Sequence, residues 1–97
     1  MIYHSVFLTF KPDLSGFQQD HFFAEAMKLA QIPGVQEFEC LREISPKNNF
    51  QYGLIMQFEN KDIYQAYTNH PLHVWFVENV WIPSVADFQE IDYLKMS

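Results

Sequence analysis

Between Ile2 and Phe10 nearly every residue is aromatic, β-branched or aliphatic, which is the pattern of a strand with apolar side chains on both faces. Ile2, His4, Val6, Leu8 and Phe10 fall on one face by period two, and Tyr3, Ser5, Phe7 and Thr9 fall on the other. A chain that contains such a strand has to cover both sides of the sheet it forms.

The remaining segments say how much cover the chain itself supplies. Lys11-Pro12-Asp13 ends the strand, and Ser15 or Asp13 caps a helix from about Leu14 to Ala30, with Phe22, Phe23, Ala26, Met27, Leu29 and Ala30 at helical spacing. Ile32-Pro33-Gly34 is a turn. Val35 to Ile44 then reads as a second strand with Phe38 and Cys40 on one face and Val35 and Leu41 on the other. After the loop Ser45 to Asn49, Gln51 to Phe58 is a third strand in which Tyr52, Leu54, Met56 and Phe58 alternate with Gly53, Ile55 and Gln57. These two strands form an antiparallel hairpin.

Asn60 caps a short helix from Lys61 to about Tyr67, and Pro71 suits the first turn of another that runs toward Trp81. Ile82-Pro83-Ser84 breaks it, and Val85 to Leu94 is a last strand. The order β-α-β-β-α-β predicts an α+β, ferredoxin-like domain over residues 1–97, with a four-stranded antiparallel sheet and both helical segments on one side.

Helices on one side leave Tyr3, Phe7, Ile55, Val35 and Leu41 on the other. At 97 residues the chain holds one core, and ten Phe, five Tyr and two Trp are more aromatic area than so small a core hides alone. A second copy placed sheet to sheet about a two-fold axis covers the remainder, so the expected assembly is a homodimer with a dimeric α/β barrel.

Twelve acidic against six basic residues give a net charge of −6, which repels phosphate backbones and anionic lipid, so no nucleic acid and no membrane partner is expected. Cys40 is the single cysteine, which fits a reducing compartment, and the Met1-Ile2-Tyr3-His4-Ser5 start carries no basic region of a signal peptide. The expected location is cytoplasmic.

Chemistry concentrates between Tyr67 and Val77. Tyr67, His70 and His73 recur at steps of three, which stacks them on one side of a helix, and His4 points from the first strand into the same layer. Imidazole exchanges protons near neutral pH, and a phenol can hold a carbonyl oxygen as negative charge develops on it. Together they suit proton abstraction beside a carbonyl, with no cofactor. Each also has a structural explanation: a histidine on an apolar strand is commonly a hydrogen-bonded core residue, and His70 before Pro71 can cap a helix. No zinc set is recognisable, since Asp62, Glu78 and Asp87 do not complete the His70–His73 pair, and Cys40 lacks an activating neighbour. Phe22-Phe23 and Trp75-Phe76 read as core aromatics.

Along nearly its whole length the chain resembles the stress-responsive A/B barrel (Dabb) family. The likeness rests on Ile2 to Lys11, on Ile32-Pro33-Gly34-Val35, on Ser45-Pro46, and above all on His70-Pro71-Leu72-His73-Val74 followed by Phe76-Val77. It implies a dimeric α+β barrel of two ferredoxin-like subunits. By similarity to a plant polyketide cyclase of that family, His73 is the general base, Tyr67 orients the substrate carbonyl, and His4 matches that enzyme's first-strand histidine. His70, Val6, Leu8, Leu54 and Phe76 complete the expected lining for a small apolar or aromatic carbonyl ligand. Leu54 stands where that cyclase carries a third-strand histidine, and Leu72 and Trp75 stand where smaller residues are common. Two other functions fit the same fold: a non-catalytic stress-response or small-molecule-binding dimer, and a cofactor-free monooxygenase.

Overall fold

The computed structural model describes residues 1–97. β1 (Ile2–Phe10) is followed by α1 (Gly16–Met27), β2 (Gln36–Arg42), β3 (Tyr52–Phe58), α2 (Lys61–Asn69), α3 (Pro71–Phe76) and β4 (Val85–Leu94). The sheet has the order β2-β3-β1-β4 with every neighbouring pair antiparallel. The two strands that are farthest apart in sequence, β1 and β4, therefore lie side by side.

The helices begin where side chains can satisfy their free amides. Ser15 Oγ accepts from Gln18 N at 3.1 Å and the Gln18 side chain accepts from Ser15 N at 2.8 Å, a reciprocal cap that starts α1 two residues after Leu14. α1 continues through one tighter turn, Lys28–Gln31, before Ile32-Pro33-Gly34. Asn60 caps α2 through Ile63 N at 3.0 Å.

The chain does not leave the helical layer at Ile82-Pro83-Ser84. After α3 it widens over Val77–Trp81 and makes one more helical turn over Ile82–Ser84. Pro83 lies near the end of this continuous helical path, directly after its widened stretch, and the backbone turns extended at Val85, two residues beyond it.

A second departure concerns Val35. It packs against the core and lies outside β2, whose pairing with β3 shifts between Gln36 and Glu39 while Glu37 sits at φ 52°. This bulge inserts an extra residue and offsets the alternation that places Val35 on the outer face. Leu41, beyond the bulge, is exposed there as expected.

The core lies between the sheet and the helices. Phe22 is its centre, with ring centroids 5.0 Å from Phe10, 5.2 Å from Phe23, 5.6 Å from Phe76 and 5.9 Å from Trp81. Phe58 stacks on Tyr64 at 4.8 Å and meets Tyr67 at 5.0 Å. The outer face of the sheet carries Phe7 over Gly53, with Phe50 at 6.4 Å and Leu41, Ile44 and Tyr93 exposed.

Gly34 fixes the entry into β2. Its φ is 90°, and a Cβ there would lie 2.2 Å from Ile63 Cγ2. Gly34→Ala should lower the unfolding free energy by about 2–4 kcal/mol, the sum of backbone strain and overpacking, and adding Ile63→Ala should not recover the backbone part. Urea melts of Gly34→Ala that overlay the wild type would contradict this.

Candidate functional site

Two helices and the inner faces of three strands enclose a cavity of about 230 Å³. The register of the sheet sets its floor: His4 lies between Met56 and Asp92, and Val6 between Leu54 and Glu90. The roof comes from two helical faces. Tyr64, Tyr67 and Thr68 share one side of α2, and His73 and Phe76 of α3 share one side with Val77 just beyond its end, at spacings of three and four.

A break between the helices brings Tyr67 and His73 together. His70 has extended backbone, ψ 135°, because a residue before proline is pushed out of the helical region. One continuous helix through Tyr67, His70 and His73 therefore does not form. Instead His70 turns its Nδ1 to accept from Leu72 N at 3.1 Å and caps α3. It does not line the cavity, and the structural explanation is the one that holds for it. Across the break, the Tyr67 and His73 rings approach to 4.5 Å between centroids.

The His73 tautomer follows from its partner. Nδ1 lies 3.0 Å from the Thr68 carbonyl oxygen, which can only accept, so Nδ1 carries the hydrogen and the lone pair is on Nε2. Burial pushes the His73 imidazole below its ordinary range, with the nearby His4 a smaller contribution in the same direction. At neutral pH it is a neutral ring with a free lone pair. Tyr67 is driven the other way: burial, then the charge of Glu90, raises the phenol well above its ordinary range and keeps its proton on.

His4 is 7% exposed and sits in a network that the sequence reading did not contain. Its Nδ1 lies 2.6 Å from Asp92 Oδ1 and 2.8 Å from the Tyr64 hydroxyl. Tyr64 also reaches Glu90 Oε1 at 3.0 Å and Asp92 Oδ2 at 3.0 Å. Burial, followed by these two carboxylates, holds the Tyr64 phenol protonated. Two signals in the sequence point to this network: Tyr64 precedes Tyr67 by three residues, and Phe88, Glu90 and Asp92 alternate down one face of β4.

The other predicted lining residues divide. Val6, Leu54 and Phe76 line the cavity with His4, Tyr67 and His73. Leu8 does not, because it is fully buried one step farther along the β1 inner face, beneath the helices. Leu72 packs against the core and Trp75 is 47% exposed, so of the three positions that differ from the cyclase pattern only Leu54 touches the cavity. Trp81, read as a helix end, lines it.

A metal would find its donors in His4, Glu90 and Asp92, whose ligating atoms lie within 4.8 Å of one another. His4 Nδ1 is committed to Asp92 and Tyr64, so the present arrangement is a hydrogen-bonded one. Cys40 is half-buried, and burial raises its thiol, which leaves it a poor nucleophile.

Comparison with known proteins agrees with this architecture. Residues 2–94 match the model of the stress responsive A/B barrel domain, Dabb. The chain belongs to the Dabb family. A solved Dabb protein with a ferredoxin-like fold from Mesorhizobium loti is 40% identical, with a TM-score of 0.93 over 99% of this chain and 97% of that one. A stress-response A/B barrel domain-containing protein of Arabidopsis thaliana is 36% identical over 69 residues, and the match spans 62% of each of the two chains. A hydroxynitrile lyase from Passiflora edulis shares the fold, with 19% identity and a TM-score of 0.89 over 99% of this chain and 94% of that one. Several further structures with this fold are described as dimeric.

The depressed His73 value has a measurable consequence. The unfolded chain protonates His73 at about pH 6.5, the folded chain only at lower pH, so its contribution to stability is present above that value and is lost as pH falls through the folded value. Ring ¹⁵N shifts should show the Nδ1–H tautomer at pH 7 and a midpoint below that of a free imidazole. A midpoint at or above it would contradict the half-buried, neutral ring.

Proposed function

We propose that this Dabb chain binds a small, largely apolar carbonyl compound between sheet and helices and exchanges a proton at the carbon beside the carbonyl, without a cofactor. The observation that carries the reading is the His73 ring: anchored through Nδ1 to a backbone carbonyl, neutral through burial, and set against a protonated Tyr67 in a cavity. In this reading His73 Nε2 takes the proton and Tyr67 donates a hydrogen bond to the oxygen that gains negative charge. The proton returns from His73 to the same carbon or to a neighbouring atom, so the step balances without an external oxidant.

His4 has a supporting place. Its Nδ1–H is held by Asp92, which fixes the ring across the cavity from His73 and orients it toward the bound compound. Among fold neighbours, one named a hydroxynitrile lyase is an enzyme on this scaffold; at 19% identity it supports the fold and not these residues.

The working unit in this reading is a homodimer. Its support is the apolar outer face, where Leu41, Ile44 and Tyr93 are exposed and Phe7 and Phe50 only partly covered in one chain, together with the dimeric neighbours. Sedimentation should give twice the single-chain mass of 11.6 kDa at micromolar protein, and Phe7→Glu on the outer face should shift it toward the single-chain value. A wild-type particle of single-chain mass throughout would remove the dimer.

Deuterium incorporation beside the carbonyl of aryl methyl ketones, followed by NMR, tests the chemistry. His73→Gln should slow it by roughly 10²–10⁴-fold, the range of a positioned acid or base, and Tyr67→Phe should slow it while leaving His73 titration in place. Exchange at the solvent rate with wild-type protein, despite ketone binding, would favour the non-catalytic binding dimer.

A further inference from the structure

β4 places two carboxylates on the inner face of the sheet, where an apolar cavity opens. Glu90 pairs with Val6 and Asp92 with His4, and their side chains are 52% and 42% exposed. Glu90 lines the cavity; Asp92 lines the adjoining cleft with Lys61, Gln65 and Tyr93.

Protein donors at this mouth are fewer than the carboxylate oxygens, and the remaining oxygens face solvent. The two carboxylates offer four oxygens, and the donors within reach are His4 Nδ1–H and the Tyr64 hydroxyl. His4 Nδ1 is 2.6 Å from Asp92 but 3.9 Å from Glu90, so its hydrogen goes to Asp92. Tyr64 has one hydrogen, and Glu90 and Asp92 compete for it. Glu90 thus presents solvent-facing acceptor oxygens, which a ligand donor can take in place of water, at the edge of an apolar space, and no lysine or arginine lines that space.

Glu90 also acts on the reacting positions. Burial dominates the shifts of Tyr67 and His73, and the Glu90 charge pushes both upward in addition. An anionic group bound beside them meets the same field, within a chain of net charge −6.

Resting on the carbonyl-binding reading above, we propose that Glu90, with Asp92 and Tyr64 behind it, makes the cavity selective for neutral or cationic carbonyl compounds bearing a hydrogen-bond donor, such as a phenol hydroxyl, and against carboxylates. Glu90 is a specificity-determining residue in this account and takes no proton from the substrate. Lys61 lines the neighbouring cleft with Asp92 and does not line the cavity.

Three compounds of nearly one shape test it: acetophenone, 3-hydroxyacetophenone and 3-acetylbenzoate, titrated by protein-observed NMR at fixed ionic strength. The wild type should bind 3-hydroxyacetophenone at least about tenfold more tightly than 3-acetylbenzoate, which is about 1.4 kcal/mol. Glu90→Gln should bring the two within about twofold, while Glu59→Gln, an equal change of net charge outside the cavity, should keep the tenfold gap. Equal or tighter binding of the carboxylate by the wild type, or a gap that survives in Glu90→Gln, overturns the inference and leaves the carbonyl-binding reading standing on acetophenone. Failure of all three compounds to shift cavity resonances removes both.

Discussion

Alternation along β1 is the constraint on which the rest of this molecule depends. Because successive side chains point to opposite faces, one strand delivers Leu8 and Phe10 to the core, Val6 and His4 to the cavity, and Phe7 to the uncovered outer face. Its central place in the sheet, between β3 and β4, carries that alternation into both neighbours. A slip of one residue would exchange every one of these positions, and so the apolar inner set fixes the register of the site as well as of the fold.

The site combines rigid and polar parts in a way that explains its protonation states. Apolar neighbours remove water from His73 and Tyr67, which favours the neutral form of each. At the mouth the chemistry is the reverse: Tyr64 gathers two carboxylates and a buried imidazole around one hydroxyl. The dry end suits proton transfer to and from carbon, and the wet end suits recognition of a polar substituent. A single small cavity thereby presents two environments to one ligand.

Much of this was legible in the residues. Strand periodicity, the caps at Ser15 and Asn60 and the turn at Gly34 are local effects, and local effects are what a single sequence displays. The meeting of Tyr67 with His73 was also visible, and so was the new helix at Pro71; what equal spacing misjudged was the shared face, because the rings meet across the break and His70 turns away to cap α3. Less visible were features that depend on register between distant strands. Asp92 is 88 residues from His4 in sequence, and only the pairing of β1 with β4 makes them partners. The bulge at Glu37 that turns Val35 inward leaves a similarly faint mark, since a residue other than glycine occupies the positive-φ position.

The central claim is that the space between sheet and helices, and not the outer face of the sheet, is where a small carbonyl compound is held. A crystal structure of the protein soaked with acetophenone tests it most directly. The account predicts the ligand ring over Leu54 and Phe76, with its carbonyl oxygen within hydrogen-bond distance of the Tyr67 hydroxyl and its methyl group facing His73. A ligand seated instead in the outer groove beside Phe7, Leu41 and Phe50, with the inner cavity unchanged, would contradict it.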